Sequence, residues 1–323
     1  MKLNPVYQKE LKTGVRTIKM SMMIFFYNLI LAFISLLAFY VYFSLSGHQV
    51  NFSNILVIYT FIACLEFGLI LFVVPAMTSS AISGERERQT LEILLTTTLK
   101  PIQIITGKLC ASISQIIMLV VSSLPILSLV FTVGGIRLKD LLMLMFICIA
   151  TAIFVGSIGI FYSTVFKRTV PATVLTYGTL ILLVLATVIG LYVAQVLLIE
   201  FYDKQFYTVN TVTNATYNPP RLGYMVLVLL WNPAVSIGAM LVKQFGEGTA
   251  VVNELLREFG VNNAFIGENW FAISVVVQLA TAVFLLWASA KKLNPLTSSK
   301  EKKRKKQQKK RNKKKSRRLK AKL

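Results

Sequence analysis

Six apolar stretches set what this chain can become: 20–45, 55–77, 109–133, 141–166, 174–199 and 270–290. A hydrocarbon core about 30 Å thick is crossed by about 20 residues of helix rising about 1.5 Å each, and every one of these stretches is that long. Inside lipid each backbone N–H and C=O must find its partner within the chain, so such segments fold as helices. With 55% hydrophobic and only 15% charged residues over 323 positions, the composition excludes both an ordinary soluble domain and a disordered one. The expectation is an all-α integral membrane protein with six transmembrane helices. Trp270 and Trp287, near the two ends of the last span, are expected as interfacial anchors. The first span follows basic residues, but it is too long for a signal peptide and lacks an A-x-A end, so it reads as retained.

A seventh apolar stretch, 222–242, poses the topological question. Basic loops stay on the cytoplasmic side. With six spans, Lys2, Lys9, Lys12, Arg16 and Lys19, the 83–108 loop, Lys167-Arg168 and the polybasic end of the chain all share that side. A seventh crossing would export the polybasic end. The segment is therefore expected as an extracytoplasmic re-entrant or interface-lying helical region, about 220–262, broken at Asn232-Pro233, where asparagine caps one helix and proline takes its first position. After a hinge at Gly246-Glu247-Gly248, Val251, Val252, Leu255, Leu256 and Phe259 recur at helical spacing, opposite Glu254, Arg257 and Glu258.

Several activities are excluded or disfavoured by what the chain carries. Cys64, Cys110 and Cys148 all lie in apolar runs, where cysteine serves as a small hydrophobe, and His48 is the single histidine, so no metal-ligand cluster is expected. There is no G-x-x-x-x-G-K-[ST] loop to cradle a phosphate, and no Ser/Lys or His/Asp pair within the spans to support an intramembrane enzyme. No repeat of 20 to 50 residues is apparent.

Residues 1–19 predict an amphipathic interface helix capped by Asn4, with Pro5 at its first position. Tyr7, Leu11, Val15 and Ile18 form its apolar stripe, and Lys9, Lys12, Arg16 and Lys19 form a basic one suited to anionic lipid. Glu66 lies in the middle of the second span, where an ionisable group is costly; it reads either as a lining group of a substrate path or as a hydrogen-bonded acid at a helix interface. Gly156, Ser157 and Gly159 read as close-packing residues.

The stretch from 83 to 108, SGERERQTLEILLTTTLKPIQIITGK, is too polar to enter lipid. Ser83 is expected to cap a short helix whose first turn holds Glu85 and Glu87, favourable at the positive end of the helix dipole. Leu91, Leu94 and Leu95 give it a narrow apolar edge, and Pro101 starts the helix leading into the third span. The predicted product is an amphipathic cytoplasmic helix, about 83–100, standing off the membrane.

This stretch resembles the coupling-helix signature of the type-2 ABC export permeases, roughly S-G-E-R-E-x-G-T-L-E-x-L-L-x-T-P-L followed by G-K. Ser83, Gly84, Glu85, Arg86, Glu87, Thr90, Leu91, Glu92, Leu94, Leu95, Thr97, Leu99, Gly107 and Lys108 match it, while Gln89 replaces the family glycine and Thr98 its proline. NPVYQKEL resembles the family's connector helix, and FYSTVFKRTVPATVLTYG, 161–178, its junction between the fourth and fifth spans. The resemblance covers the chain to about residue 292. It implies a permease subunit, itself without catalysis or bound cofactor, that dimerises with itself or with a second permease. Each subunit seats its coupling helix in a separate ATPase carrying ATP and Mg. In that reading Glu85, Arg86, Glu87, Arg88 and Thr90 contact the ATPase, Leu91, Leu94 and Leu95 anchor in it, and the chain resides in a bacterial cell membrane with both termini cytoplasmic.

Residues 291–323 hold 18 of the 35 Lys and Arg against one acid, Glu301, and predict a disordered polybasic tail. Lys302, Lys303, Arg304, Lys305 and Lys306 head its densest run, attractive to anionic lipid and, as the sharper alternative, to RNA. That alternative would make the chain a ribosome-docking membrane insertase or assembly factor.

Overall fold

The computed structural model describes residues 4–45, 52–96, 99–133, 137–209, 220–244 and 250–293. The described residues form helices and no strand. His48, Thr97, Thr98, the hinge at Gly246-Glu247-Gly248 and the tail with Lys302, Lys303, Arg304, Lys305 and Lys306 lie outside them.

Six helical stretches are long and apolar enough to cross a bilayer. They are α2 (Ile18–Leu45), α3 (Phe52–Thr78), α6 (Pro101–Val133), α7 (Leu138–Val165), α8 with α9 (Thr169–Ile181 and Thr187–Val209), and α13 (Trp270–Leu293). Helix α1 (Pro5–Val15) precedes them, and α4 (Ser83–Glu87) and α5 (Thr90–Thr96) join the second and third. Pro101 opens α6, where its missing N–H costs nothing.

Helix α7 is the hub, packing on α3, α6, α8 and α13. Lipid tails are as apolar as leucine, so spans associate through close packing rather than through hydrophobic gain, and small residues allow it. Ala150, Ala152, Gly156, Ser157, Gly159 and Ser163 of α7 are all buried. A Cβ on Gly159 would lie 3.0 Å from Cβ of Thr78 and 3.2 Å from the backbone N of Ser79, so the end of α3 touches the α7 backbone there.

The 222–242 segment divides at Asn232, just before Pro233. A 3₁₀ helix (Gly223–Trp231) meets α10 (Pro233–Gln244) at 97°, about Asn232. The Asn232 side chain accepts from the N–H groups of Ala234 and Val235, capping α10, and its amide donates to Val184 O at 2.9 Å and to Thr187 Oγ1 at 2.8 Å. Those acceptors lie in and just after a π-helical turn, Leu182–Ala186, that separates α8 from α9. A π turn departs from the α-helical i→i−4 bonding, and the buried asparagine occupies that place. Gln278 of α13 holds the other side of the break, donating to Leu230 O and Ser236 Oγ.

Helix α11 (Ala250–Glu258) turns Leu256 onto Val226, Leu229, Leu230, Val261 and Trp270, so this region has a small apolar core of its own. α12 (Ala264–Glu268) then leads into α13. Trp270, expected as an interfacial anchor, is instead 2% exposed within that core, because the 3₁₀ helix and Leu256 of α11 pack over it; Trp287 is 56% exposed, with Lys291 Nζ 5.3 Å from its ring centre.

Candidate functional site

At the end of the bundle away from the hairpin, the chain between α3 and α6 folds as two short helices, not one. α4 runs on from α3, and the break falls at Gln89, whose φ of 60° is the left-handed conformation that glycine adopts without cost. That is the position at which the resembling signature carries glycine. Ser83 is not a cap either. It is the buried first residue of α4; its hydroxyl donates to Ser79 O, its N–H donates to Ser163 Oγ, and so does that of Ile82.

Three consecutive charges on α4 address three different spans. Glu85 pairs with Lys108 Nζ of α6 at 2.9 Å. Arg86 donates to Phe166 O at 2.9 Å and more loosely to Thr164 O, closing the open carbonyls at the end of α7. Glu87 accepts from the backbone N–H of Thr169 at 2.8 Å and from its hydroxyl, capping α8, whose own N-cap residue, Arg168, makes no side-chain cap. A carboxylate there also faces the positive end of the helix dipole.

These bonds revise the picture of a free-standing charged helix. Glu85 and Arg86 are half-buried and spent inside the chain, and Leu91 is buried against Ile82, Ile104, Ile105 and Leu109, with Leu94 and Leu95 packed on the same cluster. The leucine edge therefore faces the bundle. Glu87, Arg88, Gln89, Thr90, Glu92 and Ile93 are exposed, Ile93 at 69%. The free surface of this segment is α5 with the turn before it.

Helix α1 lies along the start of α6. Asn4 caps it by accepting from Val6 N–H and donates to Gln103 O at 2.6 Å; Tyr7 OH and Ser114 Oγ lie 3.1 Å apart. Val6 is buried against α6, while Tyr7 and Leu11 are half-buried and Ile18 is exposed at the start of α2. The apolar face of α1 is thus turned partly onto protein and not wholly into lipid, as its sequence alone implies. Lys9, Lys12, Arg16 and Lys19 are exposed.

Between α1 and the α4–α5 pair opens a cleft of about 920 Å³, with Lys9 and Glu10 on one wall and Glu85, Glu87, Arg88 and Ile93 on the other. Lys108 is part of its lining; it is 5% exposed and pairs with both Glu85 and Glu10, the latter at 2.8 Å. Nothing in the sequence singles out Glu10 or Thr169; Ser163 stands there only as a serine at the junction of the fourth and fifth spans, and Lys108 only as a loop base and part of a motif. The Lys108–Glu10 contact spans 98 positions, and nothing local announces it.

Glu66 lies elsewhere, fully buried in the bundle on α3. Ser123 Oγ of α6 donates to one carboxylate oxygen, and the other has no hydrogen-bond partner. It sits where α3 and α6 pack together. Among the described residues no group of three or more His, Cys, Asp or Glu is placed to hold a metal ion.

Comparison with known proteins agrees with this architecture. The profile of the ABC-2 family transporter proteins matches residues 5–290, from the first residue of α1 almost to the end of α13. No curated protein matches the chain. The match covers the six long apolar helices, the α4–α5 joint and the bent Gly223–Gln244 segment together: the chain belongs to the ABC-2 transporter family and is a multi-pass membrane permease.

Proposed function

We propose that the chain is the membrane half of an ATP-driven exporter, which seats the α4–α5 joint on a separate ATPase subunit binding ATP and Mg. The observation that carries this reading is the wiring of α4. Glu85, Arg86 and Glu87 tie one short helix to α6, α7 and α8, so a push on its outer surface reaches three spans at once. The contact surface is α5 with its preceding turn, chiefly Arg88, Thr90, Glu92 and Ile93, with Ile93 as the apolar anchor and the charges as directional partners. Glu85, Arg86 and Leu91 stiffen the joint from behind.

The permease works as a dimer of like or related subunits in a bacterial cell membrane, with α1 and both termini cytoplasmic. Lys9, Lys12, Arg16 and Lys19, together with the polybasic tail, hold it to anionic lipid. Glu66 serves helix packing as a hydrogen-bonded acid; Glu66→Gln, which keeps a hydrogen-bonding group facing Ser123, leaves transport intact, and loss of transport from a well-folded Glu66→Gln would return it to the substrate path.

Co-purification tests the docking surface. An ATPase subunit accompanies the wild-type chain stoichiometrically and is lost from Arg88→Glu/Ile93→Arg, two exposed substitutions that leave thermal stability unchanged. Retention of the ATPase by that variant would refute the assignment.

A further inference from the structure

We propose that Lys108 is a positioning residue that joins α1 to the ATPase-docking joint, so that the two move as one body; this rests on the docking reading above. The cleft separates α1 from α4 and α5, yet a single buried cation at the start of the third span bonds to a carboxylate on each wall. Among the described ion pairs these are the two that link α1, α4 and α6. Burying an ammonium is costly unless it is paired, and here two acids share it. Without the cation, Glu10 and Glu85 would repel each other across the opening, and the second Glu85 oxygen, already buried and without a hydrogen-bond partner, would have no compensating charge beside it.

The remaining contacts of α1 make it a usable lever. Asn4 and Tyr7 fix it to α6, and Gly107 brings its backbone close: a Cβ at Gly107 would lie 3.0 Å from Val6 Cβ and 3.2 Å from Tyr7 N. Glycine and lysine at 107–108 therefore act as a pair, one seating α1 and the other tying it to α4. A docked ATPase that shifts α5 would carry α1 with it, and with α1 the entry into the first span, which begins at Ile18.

Spin labels test this on the purified chain in lipid nanodiscs. With Cys64, Cys110 and Cys148 replaced by alanine, labels at Lys12→Cys and Thr96→Cys, the latter exposed on α5 but outside the named docking residues, report the width of the cleft. The wild-type pairing gives one narrow distance. Glu10→Gln, a mild change at a half-exposed site, and Lys108→Met both lose it, whereas the full reversal Lys108→Glu/Glu10→Lys/Glu85→Lys restores it. A distance that stays narrow in Glu10→Gln and Lys108→Met, or a reversal no better than Lys108→Glu alone, overturns the proposal. In complex with the co-purified ATPase, ATP with vanadate shifts the labels at 12 and 96 together relative to one at Arg257→Cys, and Glu10→Gln abolishes only the shift at 12. Independent shifts in the wild type also overturn it. Absence of any co-purifying ATPase instead refutes the docking reading and leaves the nanodisc result to decide the joint.

Discussion

Glu87 accepts the backbone N–H of Thr169 at 2.8 Å, although 82 positions separate them. The last residue of α4 thereby caps the helix that begins the fifth span. N-capping contributes about 1 kcal/mol, and a carboxylate at the dipole's positive end adds to it. Glu87→Ala is expected to lower stability by about 1 kcal/mol, read as a lower melting temperature in detergent. Glu87→Gln, which retains an acceptor but not the charge, falls between Ala and wild type. A melting temperature unchanged in both variants would show that the cap does not matter.

Gln89 holds φ at 60°, a conformation in which a side chain costs about 1 kcal/mol relative to glycine. Gln89→Gly is expected to stabilise the protein slightly or leave it unchanged. Gln89→Val, whose branched Cβ resists this conformation, lowers the melting temperature and weakens ATPase co-purification by displacing α5. The sign of the difference between Gly and Val is the check.

Gly159 lets α7 approach the end of α3. Gly159→Ala must displace Thr78 or the backbone at Ser79, at a cost of about 1–3 kcal/mol typical of overpacking. Thermal aggregation should begin at a lower temperature. Gly178→Ala, with nothing within 4 Å of the added carbon, is the matched control and should be neutral or better.

Asn232 plays two roles that substitution separates. Asn232→Asp keeps the acceptor that caps α10 and loses the donor to Val184 O and Thr187 Oγ1; Asn232→Ala loses both. Leaving buried groups unpartnered costs about 1–3 kcal/mol each, so alanine is expected to destabilise markedly. Limited proteolysis reads the outcome. Cleavage between α9 and α11 should rise in both variants, because each frees the hairpin from the π turn.

Six long apolar helices, the break at Asn232-Pro233 and the family were legible in the order of residues alone, whereas the break at Gln89 and the π turn at 182–186 were not. Span length follows from bilayer thickness, helices follow from the need to satisfy the backbone in lipid, and Asn4-Pro5, Pro101 and Asn232-Pro233 carry local capping and φ preferences that hold wherever the chain goes. Which groups meet was set by the packing of the spans. The signature from Ser83 to Leu95 reads as a free amphipathic helix because its acids, bases and leucines alternate. Their partners Lys108, Phe166 and Thr169 come from the beginnings and ends of other spans, and the cluster that covers Leu91 is assembled largely from α6. Trp270 likewise looks like an interfacial anchor until the hairpin folds over it. Periodicity and composition report what a segment prefers with its immediate neighbours. Ion pairs, caps supplied from afar and burial depend on contacts about a hundred residues apart, and these exist only once the spans have packed.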